Sequence, residues 1–318
     1  MTPVAASLLL SLVLPTAPAP KAEKGLPKDL IDLIPEDTAG VLVIDVPRVA
    51  KSEIGDVFLK ALAADQKGGD EPVKIADFAR DVELVLISQF LIDKGVGDFC
   101  ILMRLREGSA IPKALMAEAT KKKGKDAAPE NIGKRAVYSL GGDASSFAQI
   151  DDRTVMMVLA LGEGKQIQET RAAAFGERDK PGPRPALRKM LEDRPAPDQP
   201  VRVFGHHPTK MGHSASVVLA AFGSKLEAFQ TIGEKLVSYR GGIKLGAAAE
   251  IELQFTTKDA ATAADFLKVY EGLDRRDDSL VDELHRGSRA VRDGDDVVIT
   301  ARVTRAMIDA LSSKKPNK

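Results

Sequence analysis

Gly212-His213-Ser214-Ala215-Ser216 comes nearest to a catalytic device in this sequence. It approaches the G-x-S-x-G elbow, in which a sharp turn after a strand exposes a serine oxygen and glycines let the backbone come close. Paired with a histidine such as His213, Ser214 would be the nucleophile of a divergent serine hydrolase. Three features argue against that reading. Ser216 stands where the last glycine belongs, Pro208 interrupts the segment that ought to be a strand, and no alternating parallel β/α series surrounds the motif. The simpler role for Ser214 is to cap a helix beginning near Ala215.

His206, His207 and His213 lie close together in sequence. Neutral imidazoles bind zinc, which takes four N, S or O ligands. Their spacing is not HExxH or any other standard ligand pattern, so a solvated strand end is the expectation. His285, amid acidic and basic neighbours, reads as an exposed helical residue. Gly162-Glu163-Gly164-Lys165 follows a strand and opens a helix, as a phosphate loop does, but it lacks GxxxxGK[ST] and residue 166 is Gln. Asp37 and Asp198 both precede strands in turn-like settings, where aspartate bonds its own backbone. Arg135 and Arg289 stand at strand starts and would mark a symmetric anion site if the fold brought them together. Lys121-Lys122-Lys123 reads as a solvated charge run. Cys100, the single cysteine, sits in the apolar run DFCILMRL and reads as a small buried hydrophobe. No cofactor motif is present and none is expected.

Composition narrows the function further. The chain has 318 residues, which suggests about two domains, and 44% of them are hydrophobic, enough for a sizeable core. Lys+Arg and Asp+Glu both number 46, so the net charge is zero. Nucleic-acid binding needs a basic surface that releases counterions, and the balance argues against it. With no Trp and only 3 Tyr, stacking platforms for bases or sugars are hard to build.

The N-terminal run Val4 to Leu14 is too short to span a bilayer as a helix, which takes roughly 20 apolar residues. It fits the core of a secretory signal, although no Lys or Arg precedes it and the small-x-small site Ala17-Pro18-Ala19 is followed by Pro20. Residues 1–20 are therefore read as a signal peptide and 21–27 as a tether. The mature protein is expected to have no transmembrane span and to be secreted, periplasmic or held in the cell envelope.

The elements that would position these residues come in two similar series. DTAGVLVIDVP, from Asp37, and DQPVRVFGHHP, from Asp198, share an aspartate, an apolar run and a proline at equal spacing. Gly133 to Val137 is matched by Gly287 to Val291, and Ile101, Met103 and Leu105 fall in phase with Ile251, Leu253 and Phe255. Each series reads β-α-(α)-ββ-α-ββ-α. Residues 28–175 form a first repeat, 176–200 a Pro-rich linker containing a short helix over Ala186 to Leu191, 201–313 a second repeat, and 314–318 a polar tail. Gly241-Gly242 is read as the turn of a hairpin. Ser52, Ser109 and Thr257 are read as helix caps, and a further helix is read from Ser224. The class is α+β, a duplicated unit with largely antiparallel sheet and helices packed on one side.

With Ile34-Pro35-Glu36-Asp37-Thr38, the apolar strand after it and Asp45-Val46 in view, the chain resembles a loose group of exported bacterial proteins of unknown function. Those proteins carry a signal peptide, then this P-x-D-T segment, an apolar strand and an amphipathic helix. The likeness covers the first sixty or so residues and brings no catalytic residues. The sequence thus points to an exported, non-catalytic binding or interaction protein, whose partner is an envelope protein or a small ligand. The alternative is the hydrolase at Ser214.

Overall fold

The computed structural model describes residues 26–57, 75–90, 98–123, 128–140, 144–161, 164–177, 181–193, 198–219, 232–272 and 287–307. The expected signal peptide, most of the tether, the tail, His285 and most of the helix read from Ser224 lie outside them. The first series of strands is β1 Thr38–Asp45, β2 Val82–Phe90, β3 Asp98–Leu105, β4 Glu130–Ile132, β5 Arg135–Ser139, β6 Ser145–Asp151 and β7 Thr154–Leu159. The second is β8 Val201–His206, β9 Leu236–Leu245, β10 Ala248–Thr257, β11 Arg289–Asp293 and β12 Asp296–Thr304. The helices are α1 Lys28–Ile31, α2 Val46–Ala50, α3 Ile75–Asp81, α4 Ile111–Lys123, α5 Lys165–Phe175, α6 Pro185–Glu192, α7 Met211–Leu219 and α8 Ala260–Glu271.

All twelve strands form one antiparallel sheet, in the order β11-β12-β10-β9-β8-β1-β2-β3-β7-β6-β5-β4. The protein is α+β, as the patterning indicates. The two series meet at the centre, where β1 and β8 pair antiparallel and Leu42 lies opposite Val203. Outward from that pair the order is β1-β2-β3-β7-β6 on one side and β8-β9-β10-β12-β11 on the other. The row through Leu42 reaches Ile87 and then Ile101, whereas the row through Val203 reaches Gly241 and then Leu253. The expected match of Ile101 with Ile251 is therefore two residues out. A slip of two leaves every side chain on its face, so apolar patterning cannot detect it.

One face of the sheet is shared by both halves. Ile44, Ile87, Ile101, Met103 and Phe147 are buried there in the first half, beneath α2 and α4. Leu253, Phe255, Val297 and Ile299 are buried there in the second half, beneath α7 and α8. Ile54, from the first half, packs with Ala249 of the second, so this layer is continuous across the centre. Burial of such side chains is the main stabilising term, about 1.5–3 kcal/mol each.

The expectation of helices on one side is corrected by the opposite face. There α1, α5 and α6 cover the first half, burying Leu86, Cys100, Leu102, Met156 and Val158. The alternation that hides Ile101 and Met103 on one side hides Cys100 and Leu102 on the other, because this strand is apolar on both faces. The stretch read as a linker belongs to that layer: Leu187 and Leu191 of α6 are fully buried in it, and Phe204 of β8 packs there too.

Local chemistry fixes the helix starts. Asp45 ends β1 and caps α2, accepting from Arg48 N at 3.1 Å, with Pro47 in the first turn. Ser52 Oγ accepts from Gly55 N at 3.0 Å, as a cap should. Ser109 Oγ accepts from Ile111 N at 3.2 Å at the start of α4. At α8 the cap is Asp259, which accepts from Thr262 N at 2.7 Å. Thr257, expected in that role, instead donates to the carbonyls of Asp259 and Asp295, both at 2.8 Å. Gly241 and Gly242 lie within β9, and the hairpin turns at Gly246-Ala247. A Cβ on Gly241 would overlap the carbonyl oxygen of Glu252, and one on Gly242 would overlap the side chain of Gln199. Close approach, not turning, is what both glycines permit.

Candidate functional site

The residues singled out for chemistry converge on the start of α7. His207 is 4% exposed, and its Nδ1 accepts from Thr209 N at 3.2 Å and Lys210 N at 3.1 Å. The imidazole thus does the work of a helix cap, which requires Nδ1 to be unprotonated. Burial, reinforced by the positive charges of Arg184 and Lys210, pushes its pKa down to about 4. The proton of the neutral ring is then on Nε2, a buried atom with no partner among the described residues. His206 precedes it at the end of β8, with a buried Nδ1 that has no partner among the described residues. His213 lies in α7, next to Ser214 in sequence. No cluster of three or more metal-ligating side chains forms among the described residues.

Ser214 is not a cap. It sits one turn inside α7, is fully buried, and its Oγ lies 2.7 Å from Tyr239 Oη. Burial pushes the Tyr239 phenol up to about 12, so it is a neutral hydrogen-bonding partner rather than a base. The Tyr239 ring is seated by glycine. A Cβ on Gly205 would overlap the ring, and one on Gly40 would overlap the hydroxyl. Gly40 and Gly205 face each other across the β1–β8 pair, and Tyr239 is the next residue of the same row. Tyr239 therefore lies flat over the centre of the sheet, with Ser214 closing it from α7. The arrangement locks the α7 layer to the central strands and holds no solvent-facing nucleophile.

The other flagged residues are dispersed. Arg135 donates to the Ala174 carbonyl at 3.1 Å, whereas Arg289 is on the strand at the far edge of the sheet. Ten strand spacings separate β5 from β11, so the two arginines cannot share an anion site. Asp37 pairs with Arg184 at 2.6 Å and Asp198 with Lys244 at 2.8 Å. The Lys244 ammonium holds Asp198 below the usual carboxylate range. Cys100 is buried in the core. Sequence reasoning passed over Tyr239, and also Asp98, a fully buried carboxylate that accepts from Leu161 N at 2.7 Å and Thr170 Oγ1 at 2.5 Å. A charged residue inside DFCILMRL was the available signal for Asp98. The glycines opposite Tyr239 are 34 or more residues away, so nothing local marked it.

A surface for recognition appears elsewhere, on the opposite face of the second half. One row there runs Arg202, Gly242, Glu252, Thr300 and Arg289 across β8, β9, β10, β12 and β11. The next runs Phe204, Arg240, Gln254, Val298 and Val291. Arg240, Glu250, Glu252, Thr300, Arg302 and Val291 are exposed, and no helix among the described residues lies over them. Arg240 Nε donates to Gln254 at 2.9 Å, and Gln254 in turn donates to Asp296 at 2.5 Å. A depression of about 300 Å³ lies between Gln199, Lys244, Glu250, Glu252, Thr300 and Arg302. In the row through Glu252 and Thr300, Arg202 is only 8% exposed, and its Nε has no hydrogen-bond partner among the described residues. A larger depression of about 440 Å³ lies between α1 and α6. There Arg188 is already engaged, with Asp32 at 2.5 Å and Glu192 at 3.3 Å, which ties the two helices together.

No protein-family model matches this chain, and no curated protein does. Among solved structures, crystal form I of TP0453 matches at 9% identity with a TM-score of 0.46, over 89% of this chain and 96% of its own. Crystal form III of TP0453 matches at 10% identity with a TM-score of 0.47, over 89% and 97%. At that level of likeness nothing about function transfers.

Proposed function

We propose that this chain is an exported, non-catalytic binding protein of the cell envelope, built by duplication of one α+β unit, whose partner docks on the open face of β9, β10, β12 and β11. One observation carries the reading. Among the described residues, helices cover the first half of the sheet on both faces, while the second half leaves one face exposed with Glu250, Glu252, Thr300 and Arg302 displayed on it. Mixed charge of both signs on a flat sheet suits a protein surface or a polar small molecule more than a nucleic acid. Duplication is supported by the matching strand orders either side of the β1–β8 pair and by the equal spacing of Asp37 and Asp198 from Leu42 and Val203. Export is supported by the apolar run from Val4 to Leu14. No helix among the described residues is long and apolar enough to cross a membrane.

The test is site-directed photo-crosslinking in the native envelope. A probe at Thr300 or Glu252 should capture a defined partner that a probe at Lys113 on α4 does not. Reversing charge at Glu252 and Arg302 together should abolish that capture without lowering the melting temperature. Equal capture from both positions would reject the open face as the binding surface. For export, mass spectrometry of the native protein should find a new N-terminus between Pro15 and Lys24. An intact Met1 or Thr2 on a cytoplasmic protein would reject it.

A further inference from the structure

Strand β11 ends the sheet on the second-half side, with β12 on one flank and no strand on the other among the described residues. Edges of this kind present unpaired backbone groups and are ordinarily guarded by charge. The residues are Arg289-Ala290-Val291-Arg292-Asp293, and all but Ala290 are exposed. Val291, at 44%, is one of the few large apolar side chains left open to solvent. Arg289, Val291 and Asp293 share the open face. Neither Arg289 nor Asp293 has a side-chain partner among the described residues. Asp293 stands directly opposite Asp296 across its own hairpin. Like charges so placed repel, and a cation brought alongside would offset that.

We propose that β11 pairs antiparallel with β11 of a second copy of this chain, about a two-fold axis at Val291. That register sets Val291 against Val291 and places Arg289 of each copy against Asp293 of the other, twice. Ala290 meets Arg292 on the reverse face, so no like charges are opposed. Shifting the axis by one residue, to Ala290, sets Arg289 against Val291 and loses both ion pairs. A guard made of one sign of charge would repel its own copy in any register, whereas this strand is complementary to itself. Pairing of this kind is isologous and closes at two copies. A five-residue strand buries less than the roughly 1,200–2,000 Å² of a stable interface, so the dimer is weak and exchanges rapidly. It joins the open faces of two second halves into one floor. The dimer stands independently of partner docking, because its strands are paired whether or not that floor is occupied.

Sedimentation of the processed chain from about 10 µM to 1 mM should show a reversible monomer–dimer equilibrium. Arg289→Asp alone and Asp293→Arg alone each create two like-charge pairs and should weaken association at least about tenfold. The double variant Arg289→Asp/Asp293→Arg restores both pairs with the signs exchanged, and its affinity should return to within about threefold of the original. A monomer throughout the range would overturn the proposal. So would a dimer indifferent to the single reversals, or a double variant that fails to recover. Amide exchange in β11 should also slow at the high end of the range relative to the low end. That contrast decides the matter in the unmodified chain if a variant fails to fold, and its absence would count against the proposal.

Discussion

Strands β3 and β10 hold equivalent places in the two halves, each third outward from the centre of the sheet. Their shared-face residues are interchangeable in kind: Ile101, Met103 and Leu105 in one, Ile251, Leu253 and Phe255 in the other. Their opposite faces differ completely. Cys100 and Leu102 are fully buried beneath the first-half helices, whereas Glu250 and Glu252 face solvent. The shared face is apolar in both strands, and the opposite face differs in whether helices among the described residues cover it. With Glu250 and Glu252 on β10, no helix among the described residues lies over this face, and that exposed polar sheet is surface the molecule has to offer.

The sharpest way to break that comparison is to exchange chemistry between the two faces. Leu102→Glu should destabilise the protein by several kcal/mol, on the order of 3–5, because the carboxylate would be buried without a partner. The reciprocal Glu252→Leu should change stability by less than about 0.5 kcal/mol and instead reduce solubility. Thermal unfolding of the two variants measures both. Equal effects would mean that the open face is covered in solution.

A second contrast is with pH, and in the second half it centres on His207. His207 is neutral in the folded protein, with a pKa of about 4 against 6.5 when unfolded. Between those values the unfolded chain binds the extra proton, so stability is complete above pH 6.5 and falls as the pH drops towards 4. The loss should be about 3 kcal/mol, flattening below the lower value. His207→Asn keeps a capping oxygen but cannot titrate, and it should remove this part of the acid dependence of the melting temperature.

The centre of the sheet offers two smaller tests. Gly205→Ala should cost roughly 1–3 kcal/mol, since its methyl group would displace the Tyr239 ring. Ser214→Ala should cost about 1 kcal/mol by stranding the Tyr239 hydroxyl, and adding Tyr239→Phe should recover part of it. A fluorophosphonate probe should leave Ser214 unlabelled. Labelling that heat denaturation abolishes would revive the hydrolase.

Much of this arrangement was legible in local pattern. The alternation in β10 reveals one wet face, and the aspartate spacing places β1 and β8 in equivalent positions. The caps at Ser52 and Ser109 follow from side chains that reach only two or three residues. What escaped was non-local. The pairing of Gly40 with Gly205, the slip that matches Ile101 with Leu253 and the return of α6 over the first half all join residues far apart in sequence. Pro-rich composition marked residues 176–200 as a boundary, yet Leu187 and Leu191 recur four apart and fill the core. The hydroxyl of Ser214 had two roles open to it, a cap or a buried bond. Only the position of Tyr239 decides between them.

The central strand pair also sets the order of assembly. β1 and β8 are about 160 residues apart, so closing the sheet means closing a very long loop. Contacts of such separation form late. Until β8 arrives, the inner edge of β1 is a bare apolar template, Val41-Leu42-Val43-Ile44, suited to wrong partners. At roughly 5–20 residues per second, a ribosome takes on the order of ten to thirty seconds to supply the missing strand. For that interval the chain depends on a chaperone or on remaining unfolded, and its yield should be limited there rather than by its final stability.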